Sequence, residues 1–334
     1  MKKLQLYSKE IVDAHRNVCR KIAEKKLDAV EKKLVCPCQK RYVQAIRQFI
    51  DEKDGFVAEA DTIRNMVERV ERTFFFRQKN VPELYKALNK ELEDNVFCYK
   101  AWREKAHANA VMREFVKRVK VCPYCNADSV YVLEVDERDK TYKSAFDHFY
   151  PKSRYPFLGL SLYNLIPSCH RCNSTFKQDR YAEALETYHP YVDDLDDVSR
   201  FVLVDLDEIQ KGNEPIGGKR AIQLRSLTKD GKPSKVCETR LKQYKALFGV
   251  DVVYSTFFTE EAREALQLGQ VMNEEHLNEI KAWFMKSGLP GVDPWQLMFG
   301  TPLDRSQIDR HWLSKLKLDV LEGYCDVTVP KGGK

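Results

Sequence analysis

The chain has 334 residues and a mass of 39.0 kDa, with 56 Lys and Arg against 50 Asp and Glu, a formal net charge of +6. A chain of this length buries enough apolar surface to fold without disulfide staples, and it has room for about two domains, with a third possible. Its 43% hydrophobic and 32% charged residues are ordinary for a globular protein and exclude a disordered chain. The mild positive charge neither requires nor excludes nucleic acid as a partner.

The N-terminal residues carry Lys2 and Lys3 with no apolar segment after them, and no apolar stretch approaches the ~20 residues that a membrane span requires. We therefore expect no secretory signal and no membrane partner. The expected location is the cytoplasm, where thiols stay reduced. Clustered members of the ten cysteines are then expected to be metal ligands rather than disulfides.

The first 118 residues predict a helical N-terminal region. One helical face is apolar at four positions, namely Tyr42, Ile46, Phe49 and Ile50. Asp61 is predicted as the N-cap of a later helix, and Pro82 as the first residue of the next. Residues 1–120 hold 28 Lys and Arg against 18 Asp and Glu. This basic excess indicates either an ordinary solvated surface or a face that binds a partner or nucleic acid.

Past residue 120 the pattern changes to one typical of strands. Residues 129–135 are β-branched and aromatic and predict a strand, residues 136–140 predict a turn, and residues 141–146 predict a second strand. The later predicted elements are strands over residues 201–206 and 221–227, and helices over residues 237–248, after Thr259, after Asn273 and over residues 306–321. Gly323 is the predicted stop of the last helix.

The strongest chemical signal is a pair of Cys-x-x-Cys turns, formed by Cys122 and Cys125 and by Cys169 and Cys172. Each turn presents two thiolates on one side of a tight loop, and two such turns complete a tetrahedral sulfur site that suits zinc. Four thiolates leave no open coordination position, so the predicted zinc is structural. A redox iron site with the same ligands and four buried cysteines without a metal are the alternatives.

The 43 residues between the two turns contain a second signal. Asp147 and His148 come first, Asn164 follows within Leu-Tyr-Asn-Leu-Ile-Pro-Ser, and Asn173 and Lys177 lie just after the second turn. Singly, each is an ordinary polar residue. The order Asp-His, Asn-Leu, Cys-x-x-Cys-Asn-x-x-x-Lys resembles the HNH endonucleases of the ββα-metal superfamily. The closest resemblance is to the HNH effector nucleases of bacterial anti-phage defence systems, such as the nuclease subunit of Septu systems.

The resemblance covers about residues 119–180, and together with the helical patterns on either side it predicts an α+β fold that is mostly α-helical. A central ββα-metal (HNH) motif is braced by the four-cysteine zinc site and flanked by helical regions. Three regions are expected. Residues 1–118 form the helical N-terminal region, which binds a partner or nucleic acid. Residues 119–182 form the nuclease domain, and residues 183–334 form an α+β or helical C-terminal region.

The resemblance also implies roles for four residues. Asp147 is expected to bind a catalytic Mg²⁺ or Mn²⁺ ion, and His148 to act as general base toward the attacking water. Asn164 is expected to orient that histidine. Asn173 takes the last motif position, which is often His in the family, and is expected to bind the same cation. An amide oxygen suits Mg²⁺ or Mn²⁺, so this departure preserves the mechanism.

The implied function is metal-dependent hydrolysis of DNA phosphodiester bonds, with RNA as a further possible substrate. Lys152 and Lys177 flank the motif and are expected to hold phosphates, unless they belong to an ordinary solvated surface. A regulatory protein partner such as a defence ATPase is expected, because an uncontrolled nuclease would endanger its host. The alternative function is that of a non-catalytic zinc module that binds nucleic acid or protein.

Overall fold

The computed structural model describes residues 1–135, 140–180, 186–212, 220–227, 235–272 and 274–330. The fold is α+β, as predicted, with helices and two-stranded antiparallel sheets. The chain forms two compact units. Unit 1 comprises Met1–Lys3, Arg118–Ser129 and Asp193–Lys334, and unit 2 comprises Leu4–Lys117 and Val130–Val192. Within the described ranges, no helix is long and apolar enough to cross a membrane.

Unit 2 opens with helices and continues with short strands. The helices are α1 (Lys9–Lys33), α2 (Pro37–Glu52), α3 (Ala60–Thr73), α4 (Glu83–Glu91), α5 (Tyr99–Arg103) and α6 (Ala106–Arg118). The strands are β1 (Val132–Val135), β2 (Lys140–Lys143), β3 (Ala145–His148) and β4 (Leu165–Ser168). A π-helix over Arg171–Lys177 follows β4.

The helical N-terminal region agrees with the sequence pattern, with small shifts at the helix starts. The four apolar positions predicted on one face of α2 are all buried. Helix α3 begins at Ala60, so Asp61 lies in the first turn rather than at the N-cap. Its negative charge still faces the positive end of the helix dipole. Pro82 is the N-cap of α4, which begins at Glu83, one residue after the predicted start.

The strand predicted over residues 141–146 is split in two. Strand β2 pairs with β1, whereas β3 pairs with β4, where His148 lies opposite Leu165. The break is at Ser144, whose hydroxyl accepts a hydrogen bond from the Tyr131 N–H at 3.0 Å. Strand β4 is an addition to the predicted strands, and it contains Pro167, which has no N–H to donate to the sheet. The predicted turn over residues 136–140 lies outside the described residues at 136–139.

Unit 1 contains the remaining α-helices and strands. They are α7 (Leu195–Val198), β5 (Ser199–Leu203), α8 (Leu206–Lys211), β6 (Ile222–Ser226), α9 (Lys235–Phe248), α10 (Val250–Phe257), α11 (Thr259–Val271), α12 (Glu274–Lys286), α13 (Pro294–Phe299) and α14 (Ser314–Tyr324). The two strands pair with each other, with Phe201 opposite Leu224. Gly323 lies inside α14 rather than ending it.

A buried histidine lies in the first half of α1. The Nε2 atom of His15 is 2.8 Å from the Leu160 carbonyl oxygen, and its Nδ1 atom is 3.2 Å from Nε2 of His107. Burial lowers the pKa of His15 to about 3; the bond to Leu160 raises it and the neighbouring His107 lowers it. In the folded protein His15 therefore stays unprotonated at a pH where the same side chain of the unfolded chain, with a pKa near 6.5, takes up a proton.

This difference predicts acid sensitivity. Between pH 7 and pH 5, His15 alone is expected to lower the free energy of unfolding by about 2 kcal/mol, because only the unfolded state gains a proton. Urea unfolding at the two pH values measures the loss. The loss of unfolding free energy should be smaller in His15→Gln than in the wild type. It should equal the wild-type loss in His276→Gln, which changes an exposed histidine. An equal loss in His15→Gln and in the wild type would contradict the assignment.

Candidate functional site

The long loop between β3 and β4 is closed by the side chain of Asn164. Its Oδ1 atom accepts the Tyr150 N–H at 2.8 Å, and its Nδ2 atom donates to the carbonyl oxygens of Tyr150 and Leu158, both at 3.1 Å. The residue is fully buried. Both amide protons are used, so Asn164 acts by holding the loop in place. These bonds go to Tyr150 and Leu158 rather than to the imidazole, and the expected orientation of His148 by Asn164 stays a prediction.

His148 ends β3 and is 8% exposed. Its Nε2 atom lies 3.1 Å from the Gly159 carbonyl oxygen, and the ring of Tyr99 packs edge-on against it with 4.6 Å between centroids. A carbonyl only accepts, so Nε2 carries the proton and the neutral imidazole keeps a lone pair on Nδ1.

The protonation state of His148 follows from its surroundings. Burial lowers the pKa of His148 to about 3; the Gly159 bond raises it, and the positive charges of Lys152 and Lys177 lower it. The imidazole is therefore neutral at pH 7. A general base needs this protonation state to accept a proton from water.

Asp147 forms a buried ion pair with Lys177. The Lys177 Nζ atom is 2.9 Å from Asp147 Oδ1 and 2.6 Å from the His148 carbonyl oxygen. The side chains are 0% and 2% exposed for Lys177 and Asp147. Lys177 was expected at a phosphate, but here its ammonium is buried against the carboxylate, because it ends the π-helix that lies beside β3. The charge of Asp147 is therefore balanced within the protein.

Asn173 lies in the same π-helix as Lys177. The Gln178 N–H donates to the Asn173 carbonyl oxygen at 2.9 Å, the i→i+5 bond of this wider helix. Asn173 and Lys177 are four residues apart, which is about one π-helical turn, so they lie on nearly the same side. Within the described part of the chain, the Asn173 side chain is seen in no hydrogen bond. A carboxylate and an amide oxygen are a donor set that suits Mg²⁺ or Mn²⁺, and cation binding by Asp147 and Asn173 stays a prediction.

Two further cations near the motif have partners within unit 2. Lys152 is partly exposed and forms an ion pair with Glu93. Arg154 is buried and binds both carboxylate oxygens of Glu71, at 2.7 and 2.9 Å. Arg154 therefore anchors the loop to α3. The expected phosphate contact of Lys152 stays a prediction.

Sequence reasoning missed the residues that support His148. Tyr99 packs on the imidazole from a helix 49 positions away in sequence, and no local signal indicates this. Gly159 supplies the carbonyl oxygen for Nε2. A Cβ atom at Gly159 would lie 3.0 Å from the Pro156 oxygen and 3.1 Å from the Phe97 oxygen, so only glycine fits without a shift. An isolated glycine between Leu158 and Leu160 was the one available hint.

The four cysteines of the two Cys-x-x-Cys turns come together. Their sulfur atoms lie within 4.8 Å of one another, and all four residues, Cys122, Cys125, Cys169 and Cys172, are buried. A tetrahedral zinc with Zn–S bonds of about 2.3 Å separates its sulfurs by about 3.8 Å, so the four thiols can bind one such metal ion. Among the described residues, this is the one group of three or more His, Cys, Asp or Glu side chains placed to hold a metal.

Local hydrogen bonds shape both turns. The Cys172 N–H donates to the Cys169 sulfur at 3.4 Å, and the Asn126 N–H donates to the Cys122 carbonyl oxygen at 2.8 Å. The Tyr254 hydroxyl donates to the Cys125 carbonyl oxygen at 2.6 Å. These bonds hold the backbone of each turn.

Comparison with models of known protein families, with curated proteins and with solved structures finds no match to this chain. The functional assignment therefore depends on the motif, its geometry and its chemistry.

The four-thiol cluster predicts about one zinc per chain, measured by elemental analysis of the purified protein. Cys172→Ser removes one of four ligands and is expected to lose most of this zinc and to lower the melting temperature, because metal binding contributes folding free energy. The control is Cys98→Ser, a partly exposed cysteine outside the cluster. Full zinc retention in Cys172→Ser, or wild-type protein without metal, would contradict the site.

Proposed function

We propose that this chain is a metal-dependent HNH endonuclease that hydrolyses DNA phosphodiester bonds, the effector nuclease of a bacterial anti-phage defence system. One observation carries the proposal. A neutral, buried imidazole (His148) lies beside a carboxylate (Asp147) at the end of an antiparallel strand pair, and a π-helix carrying Asn173 follows that pair. Two strands and a helix around such residues are the arrangement expected of a ββα-metal centre.

His148 is the proposed general base. With Nε2 donating to Gly159, the Nδ1 lone pair is the one able to accept the proton of the attacking water. The oxygen of that water bonds to phosphorus while the 3′ oxygen leaves. The products then carry 5′-phosphate and 3′-hydroxyl ends. Asn164 contributes by holding the loop that presents Gly159.

The proposed catalytic cation is Mg²⁺ or Mn²⁺, held by Asp147 and Asn173. When bound, such an ion neutralises charge that develops on the leaving oxygen. The four-thiol site is separate from this role, because four thiolates leave no position for substrate or water.

The proposed partners follow from charge and from the need for control. The excess of Lys and Arg in residues 1–120 favours association with a polyanion such as DNA, with RNA as the other candidate. The partly exposed Lys152 is the proposed phosphate contact beside the motif. A controlling protein, such as a defence ATPase, is proposed because free nuclease activity would damage the host, and the proposed location is the cytoplasm.

A second candidate function has its own support. Asp147 is already paired with Lys177, and the four thiols form the one metal-ligating cluster in the described chain. Both features suit a non-catalytic zinc module that binds nucleic acid or protein. Such a module does not require a neutral His148 or an Asn173 on the π-helix that follows β4, so these two features favour the nuclease.

Plasmid cleavage in Mg²⁺ or Mn²⁺ separates the two functions. His148→Ala is expected to lower the cleavage rate by about 10²-fold or more, since it removes the general base, while zinc content and DNA binding stay unchanged. His276→Ala, at an exposed position, is the control and should cut like the wild type. Undiminished cleavage by His148→Ala contradicts the proposed base. DNA binding without cleavage by any of the three proteins favours the non-catalytic module.

A further inference from the structure

The ammonium of Lys177 is bound to the carboxylate of Asp147, the group that the proposed nuclease needs for its cation. The two groups are 2.9 Å apart and both are excluded from solvent. A second bond, 2.6 Å to the His148 carbonyl oxygen, fixes the ammonium between the carboxylate and the β3 backbone. Lys177 is thus the resident cation of Asp147 in this structure.

Two cations cannot share this carboxylate at low cost. A divalent ion bound to Asp147 would lie within a few ångströms of the Lys177 ammonium, and repulsion between like charges is weakly screened in a buried site. The energy gained by the divalent ion at Asp147 is therefore reduced by the loss of the Lys177 pair or by direct repulsion.

We infer that Lys177 and the divalent cation compete for Asp147, so that Lys177 sets the metal affinity of the site. The inference rests on the proposed function and goes beyond it, because it assigns Lys177 a positioning role toward the metal rather than a contact with phosphate. The competition is reciprocal: metal binding must move the ammonium, and the ammonium must weaken metal binding.

The location of Lys177 suits such an exchange. It is the last residue of the π-helix, a helix type common at functional sites. The next residue, Gln178, has φ +49° and ψ −134°, an unfavourable conformation for a residue with a side chain. Desolvation of the two charges offsets much of the attraction in a buried ion pair. Replacing the Lys177 ammonium by another cation therefore costs less free energy than the short distance of the pair indicates.

Titration with Mn²⁺ in the absence of DNA tests the inference without an activity assay. Lys177→Met keeps the length of the stem and removes the charge, and it is expected to bind Mn²⁺ at least 10-fold more tightly than the wild type, measured by calorimetry or by electron paramagnetic resonance of free Mn²⁺. Lys152→Met removes a nearby charge that is paired with Glu93, and it should change the affinity less than 3-fold. Asp147→Asn in the Lys177→Met background should abolish the tight binding.

The outcomes distinguish this inference from the proposed function. Mn²⁺ binding that depends on Asp147 but is equally tight in the wild type and Lys177→Met overturns the competition and leaves the proposed nuclease intact. Absence of binding dependent on Asp147 in both proteins overturns the proposed cation site, and the inference with it.

A second measurement uses the wild-type chain, since Lys177→Met leaves a buried carboxylate without its cation. Acetylation of lysines, read by mass spectrometry, should be slow at Lys177 and fast at the exposed Lys90 when no metal is present. Saturating Mn²⁺ is expected to raise the Lys177 rate several-fold and to leave Lys90 unchanged. A Lys177 rate that does not respond to Mn²⁺ overturns the inference.

Discussion

Three hydrogen bonds from one buried amide determine the geometry of the candidate site. Asn164 binds Tyr150 through both the N–H and the carbonyl oxygen, and it binds Leu158 as well. Tyr150 is two residues after His148. Leu158 precedes Gly159, whose carbonyl oxygen accepts the hydrogen bond from the imidazole. Loss of this amide would release Tyr150 and Leu158 at once, because both lie in the loop between β3 and β4 rather than in the sheet.

The N-terminal helices complete this arrangement within unit 2. His15 of α1 binds the Leu160 carbonyl oxygen, and the Ser161 hydroxyl donates to the Gly55 carbonyl oxygen at 2.7 Å. Glu71 of α3 accepts hydrogen bonds from both Arg154 and Tyr155 of the same loop. The loop is thus held by contacts with the N-terminal region between residues more than 80 positions apart in sequence. A physical role for the N-terminal region is to support the site, in addition to any role in binding.

Local patterns predicted some features well and others not at all. Spacing predicted the four-thiol cluster, because a pair of Cys-x-x-Cys turns is typical of proteins that bind zinc through four sulfurs. Helical periodicity predicted the buried face of α2, because residues three and four positions apart lie on the same side of a helix. The pairing of Asp147 with Lys177 and the packing of Tyr99 on His148 depend on contacts far apart in sequence, and one-dimensional patterns carry no information on them. The break between β2 and β3 depends on how Ser144 meets Tyr131, which is likewise a tertiary contact.

The proposed function requires that His148, neutral and hydrogen-bonded to Gly159, removes a proton from water. The most direct test is rescue of the His148→Gly variant by added imidazole, with plasmid cleavage in Mn²⁺ as the readout. We expect little cleavage by the variant alone, partial recovery with imidazole, and no recovery when Asp147→Asn is combined with His148→Gly. Cleavage by His148→Gly at the wild-type rate without imidazole would contradict the claim.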